Sequence, residues 1–174
     1  MTSSEESLIS EQFLEFSRWK LMDQYWPRLR RCLESLNEEQ VWWRPNEASN
    51  SIGNLLLHLN GNVRQWLVAS FNGLEASRNR PAEFAQRELI PLNSLVEQLD
   101  GTLQEAASVL NRLNEADLLK TYQIQGHSVT GLHAVYHVVE HFGLHYGQIL
   151  FITKLVSGED LGFYRELDKT GRAQ

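Results

Sequence analysis

Hydrophobic residues recur at helical spacing along four long stretches of the chain, which predicts four helices. The first helix is predicted from about Ser10 to Leu36, and the third from about Leu92 to Leu113. The second is predicted to begin at Asn50-Ser51 and to end at Asn72-Gly73. The fourth has the clearest pattern, with Thr130 as N-cap, apolar positions over 132–156 and a stop at Ser157-Gly158. Ser and Thr suit N-caps and Gly suits the residue after a helix, so the helices of 50–73 and 130–158 have well-marked ends.

The first helix contains a proline, Pro27, well inside its apolar pattern. Proline removes a backbone hydrogen bond and its ring clashes with the preceding turn. We therefore expect a kink near Tyr25 or Trp26.

Two connections between the predicted helices are long. The segment 73–91 is rich in Arg, Glu and Asn and contains Pro81, which is typical of a functional loop or of a loop with a short helix inside it. The segment 122–129 alternates apolar and polar residues around Gly126, and fits either a short hairpin or an extended crossover. The sequence thus predicts an all-α protein, a four-helix bundle with long crossover connections, in a single domain over 1–174.

Charge and composition narrow the functional classes. The chain has 16 Lys and Arg against 22 Asp and Glu, a formal charge of −6, which argues against sequence-independent nucleic-acid binding. It has no apolar run of membrane-spanning length, and its first ten residues lack the features of a secretory signal, so a cytoplasmic protein is expected. The single cysteine, Cys32, lies among leucines at helical spacing and is predicted to be a core residue.

Four histidines of the last predicted helix lie four residues apart: His133, His137, His141 and His145. Two imidazoles at this spacing can chelate one metal ion. Each step of four residues turns the position on the helix by about 40°, so the four cannot share one face. The apolar stripe of this helix places His141 and His145 innermost, while His133 and His137 should be more exposed to water.

His58, in the second predicted helix, borders an apolar stripe and is a candidate third ligand. A buried imidazole needs partners for its ring nitrogens, and metal coordination would satisfy one of them. Three histidines from two helices leave a coordination position open, as in catalytic rather than structural sites. Zn, Ni, Cu or Fe would suit such ligands. The alternative is that these histidines are hydrogen-bonded core residues.

Residues 137–141 also fit the H-x-x-E-H pattern of the inverzincin metallopeptidases. Such an enzyme needs a downstream acidic ligand, and the choices after His141 are few: Glu159, Asp160, Glu166 and Asp168. A five-residue pattern also arises easily by chance in a segment this rich in histidine. The peptidase interpretation is therefore disfavoured, and the sequence has neither the G-x-S-x-G motif of serine hydrolases nor a glycine-rich phosphate loop.

The segments 50–59 (NSIGNLLLHL) and 137–149 (HVVEHFGLHYGQI), together with 42–46 (WWRPN) and the tail 152–164, resemble the DinB/YfiT-like superfamily. The resemblance covers nearly the whole chain. It implies a four-helix bundle with long crossovers, usually a homodimer. It also implies a divalent metal ion, zinc or nickel, held by His58, His141 and His145.

Characterised members of this superfamily use low-molecular-weight thiols in S-transfer or isomerisation. The resemblance therefore suggests a metal-dependent thiol S-transferase acting on a small-molecule substrate. The alternatives are a non-catalytic metal-binding or stress-response bundle and a metal-dependent hydrolase. Side chains near the three histidines are candidates for positioning the substrate: Asn54, Asn62, Arg64, Tyr146 and Gln148. The segment 73–91, with Arg78, Arg80 and Arg87, could cover the site and meet an anionic cofactor.

Overall fold

The computed structural model describes residues 3–165, and residues 1–2 and 166–174 of the predicted domain lie outside the description. Its four long helices are here called bundle helices 1 to 4. Bundle helix 1 consists of α1 (Ser3–Trp19), a π-helical segment (Lys20–Tyr25) and α2 (Trp26–Glu34). Bundle helix 2 consists of α4 (Ile52–Val63), a second π-helical segment (Arg64–Ala69) and α5 (Ser70–Asn72). Bundle helix 3 is α7 (Leu92–Arg112) and bundle helix 4 is α9 (Gly131–Ser157).

Bundle helix 1 packs against bundle helices 3 and 4, and bundle helix 2 packs against the same two helices. Helices 1 and 2 therefore occupy diagonally opposite positions, as do helices 3 and 4. The chain must cross the end of the bundle when it passes from helix 1 to helix 2 and again from helix 3 to helix 4. This arrangement confirms the predicted four-helix bundle with crossover connections.

Short elements fill the connections. They are α3 (Glu38–Trp42) before bundle helix 2, α6 (Arg80–Ala85) before bundle helix 3, and α8 (Glu115–Leu119) before bundle helix 4. The helix α6 lies inside the long segment 73–91, as one of the two predictions for that segment required.

Of the two structures predicted for 122–129, the hairpin is the correct one. The strands β1 (Thr121–Ile124) and β2 (His127–Thr130) pair antiparallel, with Ile124 opposite His127. The two residues between them, Gln125 and Gly126, have φ values of 52° and 79°. Positive φ at both central residues is the requirement of the type I′ turns that match the twist of a two-stranded ribbon.

The helix ends agree with the capping residues read from the sequence. The Ser51 side chain accepts a hydrogen bond from the backbone N–H of Asn54, and the Thr130 side chain accepts one from that of His133. Gly73 and Gly158 end bundle helices 2 and 4 in the left-handed conformation, with φ of 65° and 69°. These positions favour glycine because a Cβ atom is strained there.

The prediction for Pro27 needs a correction in detail. The irregularity takes the form of the π-helical segment Lys20–Tyr25, which runs directly into α2 at Trp26, so that Pro27 lies in the first turn of α2. Pro27 cannot donate the backbone hydrogen bond that a continuous helix requires, and π-bulges, like prolines, are places where helices bend. The π-helical segment is a local change of helix geometry at the predicted place, and it was not itself predicted.

The core runs between the four bundle helices, where Leu29, Leu59, Leu99 and Val138 have no exposed surface. Cys32 is also fully buried, which confirms its prediction as a core residue, and burial raises the pKa of its thiol to about 11. None of the helices within residues 3–165 has the length and apolar character that crossing a membrane requires.

Candidate metal centre

Three histidines from two neighbouring helices meet at one point in the bundle. His58 lies on bundle helix 2, and His141 and His145 lie one turn apart on bundle helix 4. One ring nitrogen of each lies within 4.8 Å of those of the other two, and the Nε2 atoms of His58 and His141 are 2.8 Å apart. His58 and His145 are buried, and His141 is half-buried. The trio predicted from helical spacing is therefore brought together.

Hydrogen bonds on the outer side orient two of these rings. The Nδ1 atom of His58 lies 2.9 Å from the Glu83 carboxylate, and that of His145 lies 2.7 Å from the Gln148 side-chain oxygen. Both acceptors require a proton on Nδ1, which leaves the lone pair on Nε2 of each ring. In metal sites, such outer partners fix the tautomer and the orientation of the ligand.

The spacing and chemistry of the trio fit a divalent ion. Tetrahedral zinc with Zn–N bonds of 2.0–2.1 Å would place its nitrogens about 3.3 Å apart, which lies between the observed 2.8 Å and the 4.8 Å limit. Burial and the neighbouring imidazoles lower the pKa of His141 to about 3, and burial also lowers the pKa of His145. Both rings are thus neutral near pH 7, which is the form that binds metal.

Within the described part of the chain, the group of possible ligands consists of these three histidines alone. Three protein ligands leave a tetrahedral ion with one position for water or another small ligand. The residues present are therefore suited to a metal ion that also binds something else.

A buried ion pair supports His58 from behind. The Arg78 guanidinium meets the Glu83 carboxylate with two contacts of 2.7 and 2.8 Å, and their side chains are only 6% and 11% exposed. Burial opposes ionisation of Glu83, but hydrogen bonds from Arg78 and His58 hold its pKa below the ordinary value. Arg78 also donates to the Gln65 side chain. Helical spacing gave no indication of Glu83, because it lies in the segment between two bundle helices.

The helix α6 covers one edge of the trio. The Phe84 ring lies against His58, with 4.6 Å between ring centroids, and the Arg80 guanidinium carbon lies 5.0 Å from the centre of the Phe84 ring. Arg87, just beyond α6, donates instead to the backbone carbonyls of Phe84 and Gln86.

The remaining histidines of bundle helix 4 follow the predicted order only in part. His133 is exposed, as predicted. His137 is half-buried rather than exposed, because the Trp66 ring packs on it with 4.0 Å between centroids and the Asn62 amide lies 3.2 Å from its Nε2. His137 in turn stacks on the His141 ring, one helical turn away on bundle helix 4.

Among the other predicted substrate-positioning residues, Asn54 has a structural role. Its side chain completes the capping box at the start of bundle helix 2. It also donates hydrogen bonds to the backbone carbonyls of Glu83 and Gln86, which fastens α6 to that helix. Arg64 points to bundle helix 3, where it donates to Glu105. Tyr146 is buried beside the Tyr25 ring, and burial raises its pKa.

The inverzincin pattern gains no support from the geometry. The trio takes its third nitrogen from His58 rather than from His137, and Glu140 is exposed. Glu159 and Asp160 are also exposed, and Glu166 and Asp168 lie outside the described residues.

A cavity of about 590 Å³ lies on the outer side of bundle helix 2. Arg78 and Glu83 form part of its wall, together with Leu57, Asn60 and Val68, but none of the three histidines lines it. The ion pair therefore separates this cavity from the candidate metal centre. Its volume is in the range of small-molecule sites.

Comparisons with known proteins agree with the fold. A family model described as a protein of unknown function (DUF1572) matches residues 8–165. No curated protein matches the sequence significantly.

Solved structures that resemble this one include the following three. A conserved protein from Enterococcus faecalis aligns with a TM-score of 0.66 at 15% identity, over 91% of this chain and 99% of its own. A DinB-like protein from Bacillus subtilis has a TM-score of 0.63 and 20% identity, over 88% and 96%. A DinB-like protein from Bacillus cereus has a TM-score of 0.63 and 12% identity, over 83% and 90%. These matches confirm the DinB-like fold expected from the sequence.

Proposed function

Because the chain belongs to the DUF1572 family and has the DinB-like fold, we propose that it is a metal-dependent enzyme centred on His58, His141 and His145. The observation that carries this proposal is the convergence of three imidazole nitrogens within 4.8 Å, with two rings oriented from outside by Glu83 and Gln148. Buried core histidines would not need this convergence, because each could be satisfied by an ordinary acceptor.

A divalent ion held by this trio, zinc or nickel, would act as a Lewis acid and lower the pKa of a coordinated water or thiol. The protein's part is to hold the ligands still and to shape the access. Glu83 and Gln148 fix the tautomers of His58 and His145, while Phe84 excludes water from one side of His58. Outer hydrogen-bond partners of this kind are typical of histidines that bind a metal ion.

The reaction we propose is S-transfer from a low-molecular-weight thiol to a small electrophilic molecule. In such a transfer the thiol sulfur forms a bond to the electrophilic carbon, the leaving group departs with the bonding electrons, and the thiol proton is released. Support comes from the trio's open position and from the DinB-like fold. A metal-dependent hydrolase would be distinguished by turnover without added thiol. We further propose that the chain acts as a homodimer, which light scattering would measure.

The first experiment is the metal content of untagged protein, measured by inductively coupled plasma mass spectrometry. About one divalent ion per chain is expected in the wild type and almost none in the His141→Ala/His145→Ala double variant. His133→Ala is the matched control, since His133 lies on the same helix but is exposed, and it should retain the metal. Wild-type protein that stays empty after loading with zinc and with nickel would overturn the proposal.

A further inference from the structure

The three arginines of the segment between bundle helices 2 and 3 differ in the groups that their guanidiniums contact. Arg78 is neutralised by Glu83, and Arg87 is occupied by two backbone carbonyls. Arg80 is exposed, and among the side chains of residues 7–165 its guanidinium has neither an ion-pair nor a hydrogen-bond partner. The guanidinium lies over the Phe84 ring, with its central carbon 5.0 Å from the ring centroid. Among the side chains of residues 7–165, Arg80 therefore presents a positive charge without a counter-charge, held in place by the Phe84 ring.

This charge lies at the edge of the candidate metal centre. Phe84 joins the two, since one side of its ring carries the Arg80 guanidinium and its centroid is 4.6 Å from that of His58. An aromatic ring holds a guanidinium in place while leaving its N–H groups free to donate.

We infer that Arg80 binds an anionic oxygen group, a carboxylate, on the small molecule whose other end occupies the open position of the His58–His141–His145 site. The inference rests on the proposed function and narrows its substrate class to anionic molecules. The planar guanidinium matches a carboxylate with two parallel hydrogen bonds. The whole chain carries a formal charge of −6, so an anionic substrate needs a local positive charge at the entrance.

The test compares two thiols of similar length, 3-mercaptopropionate and the neutral 3-mercapto-1-propanol, on protein loaded with Co²⁺. The readout is the sulfur-to-cobalt charge-transfer absorption, titrated to give a dissociation constant for each thiol. In the wild type the anionic thiol should bind about fivefold to tenfold more tightly, as a hydrogen bond to a charged group at a partly exposed site allows. In Arg80→Gln this preference should disappear, in Arg80→Lys it should be partly kept, and in Arg87→Gln it should be unchanged.

Affinity for cobalt is measured in each variant, so that a displaced Phe84 is recognised as a change in metal binding rather than in thiol preference. Equal binding of the two thiols by cobalt-loaded wild type, or an anion preference that survives in Arg80→Gln, would overturn the assignment of Arg80 while leaving the metal site in place. Failure of the wild type to bind cobalt would overturn the metal site and, with it, the inference.

Discussion

The substitution Glu83→Gln probes the buried support of the metal centre. It removes the carboxylate charge from beside Arg78 and keeps the size of the side chain. Both side chains are almost fully enclosed, at 6% and 11% exposed, so the guanidinium would remain buried without its counter-charge. Breaking a buried pair costs about 3–5 kcal/mol. The Gln oxygen can still accept one hydrogen bond, so we expect a loss of about 3 kcal/mol from the free energy of unfolding.

A matched control lies on the surface of the same protein. Arg64 and Glu105 have the same closest N–O distance, 2.7 Å, but both side chains are 51% exposed. Exposed pairs contribute only about 0–1 kcal/mol because water screens them. Glu105→Gln should therefore cost less than about 1 kcal/mol. The contrast compares a buried pair that makes two contacts with an exposed pair that makes one, at the same closest N–O distance.

The assay is urea unfolding followed by circular dichroism, with a chelator present so that metal binding adds nothing. Equal destabilisation by Glu83→Gln and Glu105→Gln would refute the reasoning. The pH dependence gives a second check. The pKa of Glu83 is lowered in the folded state, so its stabilisation is present above the unfolded value of about 4.3 and is lost as the pH falls through the folded value. The gap between wild type and Glu83→Gln should stay constant from neutral pH down to about 5 and close below about 4.

One labelling experiment and two substitutions test the packing. Cys32 should react with a thiol reagent at pH 8 only as fast as the protein unfolds, because it has no exposed surface and its pKa is raised to about 11; rapid labelling of the folded protein would contradict this. Gly53→Ala would place a Cβ atom 2.8 Å from the Trp42 ring and should lower the melting temperature, at a cost of about 1–3 kcal/mol. Gly101→Ala, in the middle of bundle helix 3 with open space around it, should raise the melting temperature through a gain of about 0.5–1 kcal/mol, and a fall would show that an unrecognised neighbour is crowded.

The four helices of the bundle could be predicted from the sequence because the signals that define a helix lie within the helix itself or next to its ends. Helical periodicity and capping residues such as Ser51 and Thr130 act within one or two turns, and the helices end where these residues place them. The two π-helical segments escaped prediction, since a widened turn changes the hydrophobic pattern too little to be recognised. The diagonal order of the helices also needed the structure, because it depends on packing between distant parts of the chain.

In the candidate site, too, some residues could be predicted from local sequence patterns and others only from the structure. His141 and His145 were recognisable because they share one face of one helix, and His58 because it borders a buried stripe. Glu83 was not recognisable, since it lies 25 positions from His58 in a segment whose path no periodic pattern describes. His137 was expected to be wetter than it is, because a helical wheel does not include Trp66 on the neighbouring helix.

The separation of His58 from His141, 83 positions along the chain, has a consequence for the order of events during synthesis. A growing chain exposes His58 long before the ribosome has made the other two histidines. The three nitrogens can converge only after bundle helix 4 has emerged and docked beside bundle helix 2. An ion that uses all three must therefore be captured after translation of this region, from whatever the cell then offers. Metal supply at that moment, as well as ligand chemistry, would decide which ion the protein carries.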